Sequence, residues 1–412
     1  MQNDIRVLNQ YAQEDLSALK RELAAQFEAR FGASSEPVRF FAAPARINII
    51  GEHIDYNGGK VFPAAIDKYI YLALRRRSDN VIRYDDVRFP GIFTFDITEN
   101  FAYKKESDYC NYLNGILSIL KGRGVTFDSG FDALFFSCIP PGGGISSSSA
   151  LECCFARGIS SLYGLNLDGV EIAKIGQESE HRFMNVNCGI MDQFIIAMGK
   201  KDQAILLDCA TIEYEYVPLA LGDYRFVVMN TNKKRQLSDS KYNERVSECR
   251  KALDILNAEL ARRGEPALPD LCSCTPERFA ELKDCLSDDV LLRRVRHCVT
   301  ENGRVYAAVA ALRAGNLAEL GRLMDASHES LQSDYETTGV ELDTLHEEAG
   351  KIPGCIGSRV TGAGFGGCGI ALIHKDAFPE FTDKVGKAYR AKIGYDAGFF
   401  ECGTGDGACA LD

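Results

Sequence analysis

Leu16, Leu19, Leu23, Phe27 and Phe31 recur at intervals of three and four residues, with polar positions between them and Gly32 just beyond. That spacing predicts an amphipathic helix over residues 14–31, stopped by Gly32. Apolar runs at 38–42, 69–75 and 130–138 have no such period and read as strands. Helical spacing returns from Tyr109 to Leu120, before Gly122 and Gly124 end it. Asp168 and Glu171 have the spacing of a capping box, opening a helix expected to carry Glu180 and His181. Strands are predicted at 203–208 and 225–230, helices dominate from about 240 to 350 with a charged face over 241–250, and a strand at 369–374 precedes a mixed end. Strands and helices intermingle without strict alternation, so the expected class is α+β. The polar stretch at 210–220 marks the expected boundary between two domains, 1–215 and 216–412.

With 412 residues, 46% of them apolar and 25% charged, the chain has ample material for a core and is neither disordered nor a small disulfide scaffold. Its 47 Lys and Arg against 58 Asp and Glu give a net charge of −11. That balance argues against general nucleic-acid or anionic-membrane binding, while leaving room for a local basic pocket for a small anion. No apolar stretch approaches the ~18 residues that span a bilayer. The opening, Met1 to Ile5, lacks the order of a signal peptide. Fifteen Cys, without a Cys-x-x-Cys pair, read as reduced thiols. The expectation is a soluble cytoplasmic protein.

Four segments carry candidate chemistry. Pro140-Pro-Gly-Gly-Gly-Ile-Ser-Ser-Ser-Ser-Ala150 follows a strand and opens a helix, so its free N–H groups and hydroxyls suit a phosphate; a Ser-rich N-cap is the plainer alternative. In the second segment, Arg46 to Gly59, the cluster Glu52, His53, Asp55 and Tyr56 suits a polyhydroxyl ligand, a metal or a simple polar turn. In the third, Asp192 sits among Ile190, Met191 and Phe194, where a carboxylate needs a cation to stay ionised. The fourth, Arg359 to Gly369, matches the dinucleotide pattern at Gly362, Gly364 and Gly367, but a strand follows where a helix is required. It therefore predicts a tight turn between two strands, and no P-loop occurs elsewhere.

Together, and in this order, the segments resemble the GHMP kinase superfamily and, within it, the galactokinase family. Arg46-Ile-Asn-Ile-Ile-Gly-Glu-His-Ile-Asp-Tyr56, the loop 140–150 and the glycine turn 359–369 match its three motifs. The resemblance implies a two-domain fold with the active site between the N- and C-terminal domains, and phosphorylation of the anomeric hydroxyl of galactose by ATP with Mg²⁺. It implies Asp192 as the catalytic carboxylate with Arg46 beside it. Glu52, His53, Asp55, Gly189 and Tyr242 would hold the sugar. Gly142, Gly143, Gly144, Ser146, Ser147, Ser148 and Ser149 would wrap the phosphates, with Tyr109 and Tyr112 near adenine. Ser148 and Glu180 would bind Mg²⁺. The expected partners are galactose and MgATP, with no nucleic acid or membrane, acting on a monomer.

Two departures bear on the substrate. The family commonly has Trp at the first adenine-side position, where this chain has Tyr109 and no Trp anywhere. Ser149 stands where galactokinases usually carry Ala, and a sibling branch that phosphorylates N-acetylgalactosamine is similar there. The alternatives are thus that sibling activity, or a galactose- and ATP-binding sensor without turnover. The galactokinase form of Cys188 to Asp192 and of Asp239 to Tyr242 favours galactose.

Overall fold

A computed structural model describes residues 2–89, 91–140, 144–233 and 238–411. Helix α1 (Gln2–Glu14), absent from the expected elements, precedes α2 (Leu16–Phe31) and packs Ile5, Leu8, Tyr11 and Ala12 into the same cluster as Leu19 and Phe27 of α2. The Asp15 carboxylate between them accepts from the Ala18 N–H, so the helix expected from residue 14 starts at Leu16. Leu19, Leu23, Phe27 and Phe31 are buried, whereas Leu16 is 44% exposed. It sits at the first helical position, at the end of the helix rather than along its packed face.

The chain continues through β1 (Arg39–Asn48), β2 (Lys60–Val61), β3 (Pro63–Arg76), β4 (Val81–Asp86), β5 (Phe93–Asp96), α3 (Cys110–Gly122) and β6 (Phe131–Ser137). Helices α4 (Ser147–Leu162), α5 (Gly169–Ser179) and α6 (Met191–Met198) lead to β7 (Gln203–Asp208), β8 (Tyr214–Pro218) and β9 (Tyr224–Asn230). Then come α7 (Ser238–Arg263), α8 (Pro276–Leu282), α9 (Asp289–Arg313), α10 (Leu317–Ser333) and α11 (Val340–Ala349). Last are β10 (Cys355–Thr361), β11 (Cys368–His374), α12 (Phe378–Ile393), β12 (Gly398–Cys402) and β13 (Cys409–Ala410).

Six strands form a sheet in the order β13-β1-β3-β6-β4-β5, antiparallel except where β4 meets β6. The alternation of a pleated strand sends Phe41, Ala43, Ala45 and Ile47 into the main core, with Leu113, Phe155, Ile172 and Phe194 of α3 to α6. The opposite face, with Ala42, Tyr71 and Phe136, is covered by Leu19, Leu23 and Phe27 of α2. A second antiparallel sheet, β10-β11-β9-β12, has α11 and α12 on one face through Leu345, Phe381 and Tyr389. Its other face joins the main core through Val228, Ile370 and Leu372. The short strand β13 returns from the C-terminal part to pair with β1.

The capping box at Asp168 and Glu171 is present. Its helix stops at Ser179, and Glu180 and His181 lie instead in a π turn, Glu180–Met184, closed by Asn185 in a left-handed conformation. The wider turn takes both side chains off the helical repeat expected of them. The glycine segment 359–369 does link two antiparallel strands, β10 and β11. Among the described residues every thiol is free, and no helix is long and apolar enough to cross a membrane.

Candidate active site

Arg46 alternates on β1 with the core residues Ala45 and Ile47, and so projects from the other side of the strand. Its buried guanidinium forks onto Asp192, with Nε to Oδ1 at 2.7 Å and Nη2 to Oδ2 at 2.8 Å, while Nη1 donates to the Gly144 carbonyl at 3.1 Å. Burial opposes the charge of Arg46, but Asp192, with Glu52 and Asp55 behind it, outweighs this and raises its pKa. Asp192 stands in the first turn of α6, and the Ser146 hydroxyl also donates to its Oδ2. The compensating cation that Asp192 required is therefore Arg46, from 146 residues away.

Ser146 occupies the N-cap of α4 in a left-handed conformation, and its side chain makes no capping bond. Spending that hydroxyl on Asp192 leaves the first N–H groups of a 16-residue helix without the usual side-chain acceptor. Such a terminus favours an anion. Gly144 and Ser146, Ser147, Ser148 and Ser149 line one pocket with Arg46 and Asp192. Gly142 and Gly143 lie outside the described residues. Tyr112 also lines this pocket. Tyr109 does not, because its ring packs edge-on against Phe93 at 5.7 Å.

Glu52, His53, Asp55, Gly189 and Tyr242 line the same pocket. Both oxygens of the Glu52 carboxylate are engaged: Oε2 with Arg359 Nη1 at 2.6 Å and with Asn48, and Oε1 with the Gly362 N–H at 2.6 Å. Burial raises its pKa against the pull of Arg359. His53 donates from Nε2 to the Ala363 carbonyl at 3.1 Å, so Nδ1 accepts from the Tyr56 hydroxyl at 2.8 Å. Tyr56 in turn meets the Tyr335 hydroxyl at 3.0 Å. Burial and the neighbouring His297 push His53 down to about 3, which keeps the ring neutral. Burial and the charge of Asp192 push Asp55 up to about 7. Gly189 is pressed against Asp55, where a Cβ would stand 2.0 Å from Oδ2.

Ser148 and Glu180, on separate elements, line the same pocket. A hydroxyl and a carboxylate are hard oxygen donors that suit Mg²⁺, which keeps waters and phosphate oxygens as its other ligands. Glu152 lies fully buried on α4 with no partner for either oxygen. Burial and the charge of Glu180 push its carboxyl well above the usual range, which keeps Glu152 neutral and leaves Glu180 as the charged carboxylate of the pair. The residues present fit a divalent cation of this kind. Sequence reasoning missed the clasp of Arg359 on Glu52 and the Tyr335 relay, although Arg359 opens the glycine segment and was in view.

The galactokinase galactose-binding signature matches residues 25–76, and the GHMP kinase N-terminal and C-terminal domain models match 111–200 and 308–391. A Clostridium perfringens galactokinase is 45% identical over 94% of this chain and 99% of its own length. The chain belongs to the galactokinase family. A Staphylococcus carnosus galactokinase is likewise 45% identical, over 93% of this chain and 97% of its own. The crystal structure of Lactococcus lactis galactokinase complexed with galactose superposes with a TM-score of 0.91 at 42% identity, covering 95% of this chain and all of that one. A Methanococcus jannaschii mevalonate kinase, 17% identical with a TM-score of 0.65, covers 90% of this chain and 100% of its own and shares the fold. The two-domain α+β architecture of the GHMP kinases is thus the architecture of this galactokinase-family chain.

Proposed function

We propose that the chain is a sugar kinase that transfers the γ-phosphoryl group of ATP to the anomeric hydroxyl of galactose, giving galactose 1-phosphate and ADP. One observation carries the reading: the Arg46–Asp192 fork shares one pocket with an uncapped helix start and with the polar side chains of Glu52, His53, Asp55 and Tyr242. A carboxylate offers about four lone-pair sites. Arg46 and Ser146 take three of them, leaving one on Oδ1 to accept the sugar hydroxyl. Asp192 orients that hydroxyl and receives its proton as the bond to phosphorus forms. The loose transition state of phosphoryl transfer demands little basicity, so a carboxylate held by three donors is adequate. Arg46 keeps Asp192 charged and offsets charge developing on the moving phosphoryl group.

Gly142 to Ser149 hold the phosphates, Tyr112 stands beside adenine with Tyr109 packed behind the pocket wall, and Ser148 with Glu180 would hold Mg²⁺. When bound, the cation neutralises phosphate charge. Glu52, His53, Asp55, Gly189 and Tyr242 hold galactose; the galactose complex of the Lactococcus lactis relative supports this acceptor over N-acetylgalactosamine. In this reading the site lies between lobes 1–215 and 216–412 of a monomer, and the free thiols suit a cytoplasmic compartment. Release of ADP from ATP, Mg²⁺ and galactose, absent without the sugar, is the expected result. Sugar-independent or absent ADP release overturns it.

A further inference from the structure

The turn between β10 and β11 contains four left-handed residues: Gly362, Gly364, Phe365 and Gly366, with φ of 79°, 73°, 56° and 96°. Three are glycine, which such backbone favours. The fourth is among the bulkiest side chains, for which this conformation is an outlier. Hydrogen bonds hold it there. The Phe365 N–H donates to the Thr337 carbonyl at 2.6 Å, and the Thr231 hydroxyl donates to the carbonyls of Gly366 and, at 2.9 Å, Gly367. Glycine at 365 would make the same backbone bonds without strain, so the phenyl ring needs its own explanation.

The ring meets the His53 ring edge-on, with centroids 6.4 Å apart. Lys241 Nζ lies 5.8 Å from its centroid and the Arg245 guanidinium 5.9 Å. Both cations are on the N-terminal part of α7 and flank Tyr242, whose ring is 5.4 Å from that of His53. Cations over an aromatic ring are attracted to its face. The glycine turn thereby meets His53 directly and reaches α7 through Lys241 and Arg245, the cations on either side of Tyr242.

We infer that Phe365 is a positioning residue for the galactose side of the pocket, its strained ring wedging between His53 and α7 to set the spacing of His53 and Tyr242. The inference rests on the reading that those two residues face the sugar. F365G retains the turn and removes the wedge. It is expected to raise the galactose KM about ten-fold while the ATP KM stays within about two-fold and kcat within about three-fold, with F365Y close to wild type. An unchanged galactose KM, or an equal rise in both KM values, overturns the inference. K241M spares the turn and loosens one cation, with an expected rise in galactose KM of about two- to three-fold. Should F365G not fold, an unchanged galactose KM in K241M overturns the inference. H53Q and Y242F separate the two claims. If neither raises the galactose KM, the sugar-side reading fails; if both do and F365G does not, only the wedge fails.

Discussion

The two ends of the pocket hold their polar groups by different means. At the reacting end the hold is charge: Arg46 forks onto Asp192, and Ser146 adds a third donor, although the Asp192 side chain remains 27% exposed. At the sugar end Arg359 holds Glu52 by charge as well, but the hold on His53 is direction. His53 is neutral, and its two nitrogens are committed by Ala363 and Tyr56 to one donor and one acceptor. A phosphoryl transfer needs charge where charge develops, whereas a sugar is neutral and is distinguished by where its hydroxyls point. Substitutions at the first end should therefore act on kcat, and those at the second on KM.

The sharpest test of this division is D192N. Asparagine keeps the shape but turns a donor toward the donors of Arg46, and kcat should fall by at least about 10²-fold while both KM values stay within a few-fold. Steady-state kinetics decide it, and near-wild-type kcat would remove Asp192 from the reaction. The next effect concerns the shape of the sugar end. Cys188 and Gly189 line the pocket, and Gly189 is packed against Asp55. We expect kcat/KM for galactose to exceed that for N-acetylgalactosamine by about ten- to over a hundred-fold. Equal values would make Ser149 the better guide to the acceptor.

G189A probes the same contact from the protein side. Its Cβ would displace the Asp55 carboxylate, and we expect the galactose KM to rise about ten-fold with a smaller change in kcat. A change confined to kcat would place Asp55 at the reacting end and break the division. The smallest effect is in stability against pH. The folded protein holds Asp55 up to about 7, against about 3.9 unfolded. The folded state therefore binds the extra proton between those values. Its contribution to stability is fully present below about pH 4 and is lost as pH rises through 7. Between pH 5 and 8 the Tm of ligand-free wild type should fall by at least about 2 °C relative to D55N. Parallel Tm curves would show that Asp55 does not titrate there.

Much of this was legible locally. The α2 stripe, the capping box at Asp168 and the strands at 203–208 and 225–230 are periodic or short-range signals, and each has its element. The π turn at Glu180 was not legible, because a helix with one extra residue in its last turn has the same composition as one without. Helix α1, absent from the expected elements, was legible too: Ile5, Leu8, Tyr11 and Ala12 recur at three- and four-residue spacing and pack into the cluster that α2 covers.

Which segments carry chemistry is written along the chain: a hydroxyl-rich helix start, an acidic turn after Arg46, an aspartate in apolar company and a glycine turn between strands. These are properties of neighbours along the chain, and the physics that selects them is local. How the segments combine was settled by the folded chain. It brought Arg46 to Asp192 across 146 residues and diverted the Ser146 hydroxyl from its own helix. It also clasped Glu52 with Arg359 and Gly362 from more than 300 residues away, and chose the tautomer of His53 through Ala363. Each of those choices depends on a donor finding an acceptor through space, and the period of a helix or strand carries no record of which distant residue that will be.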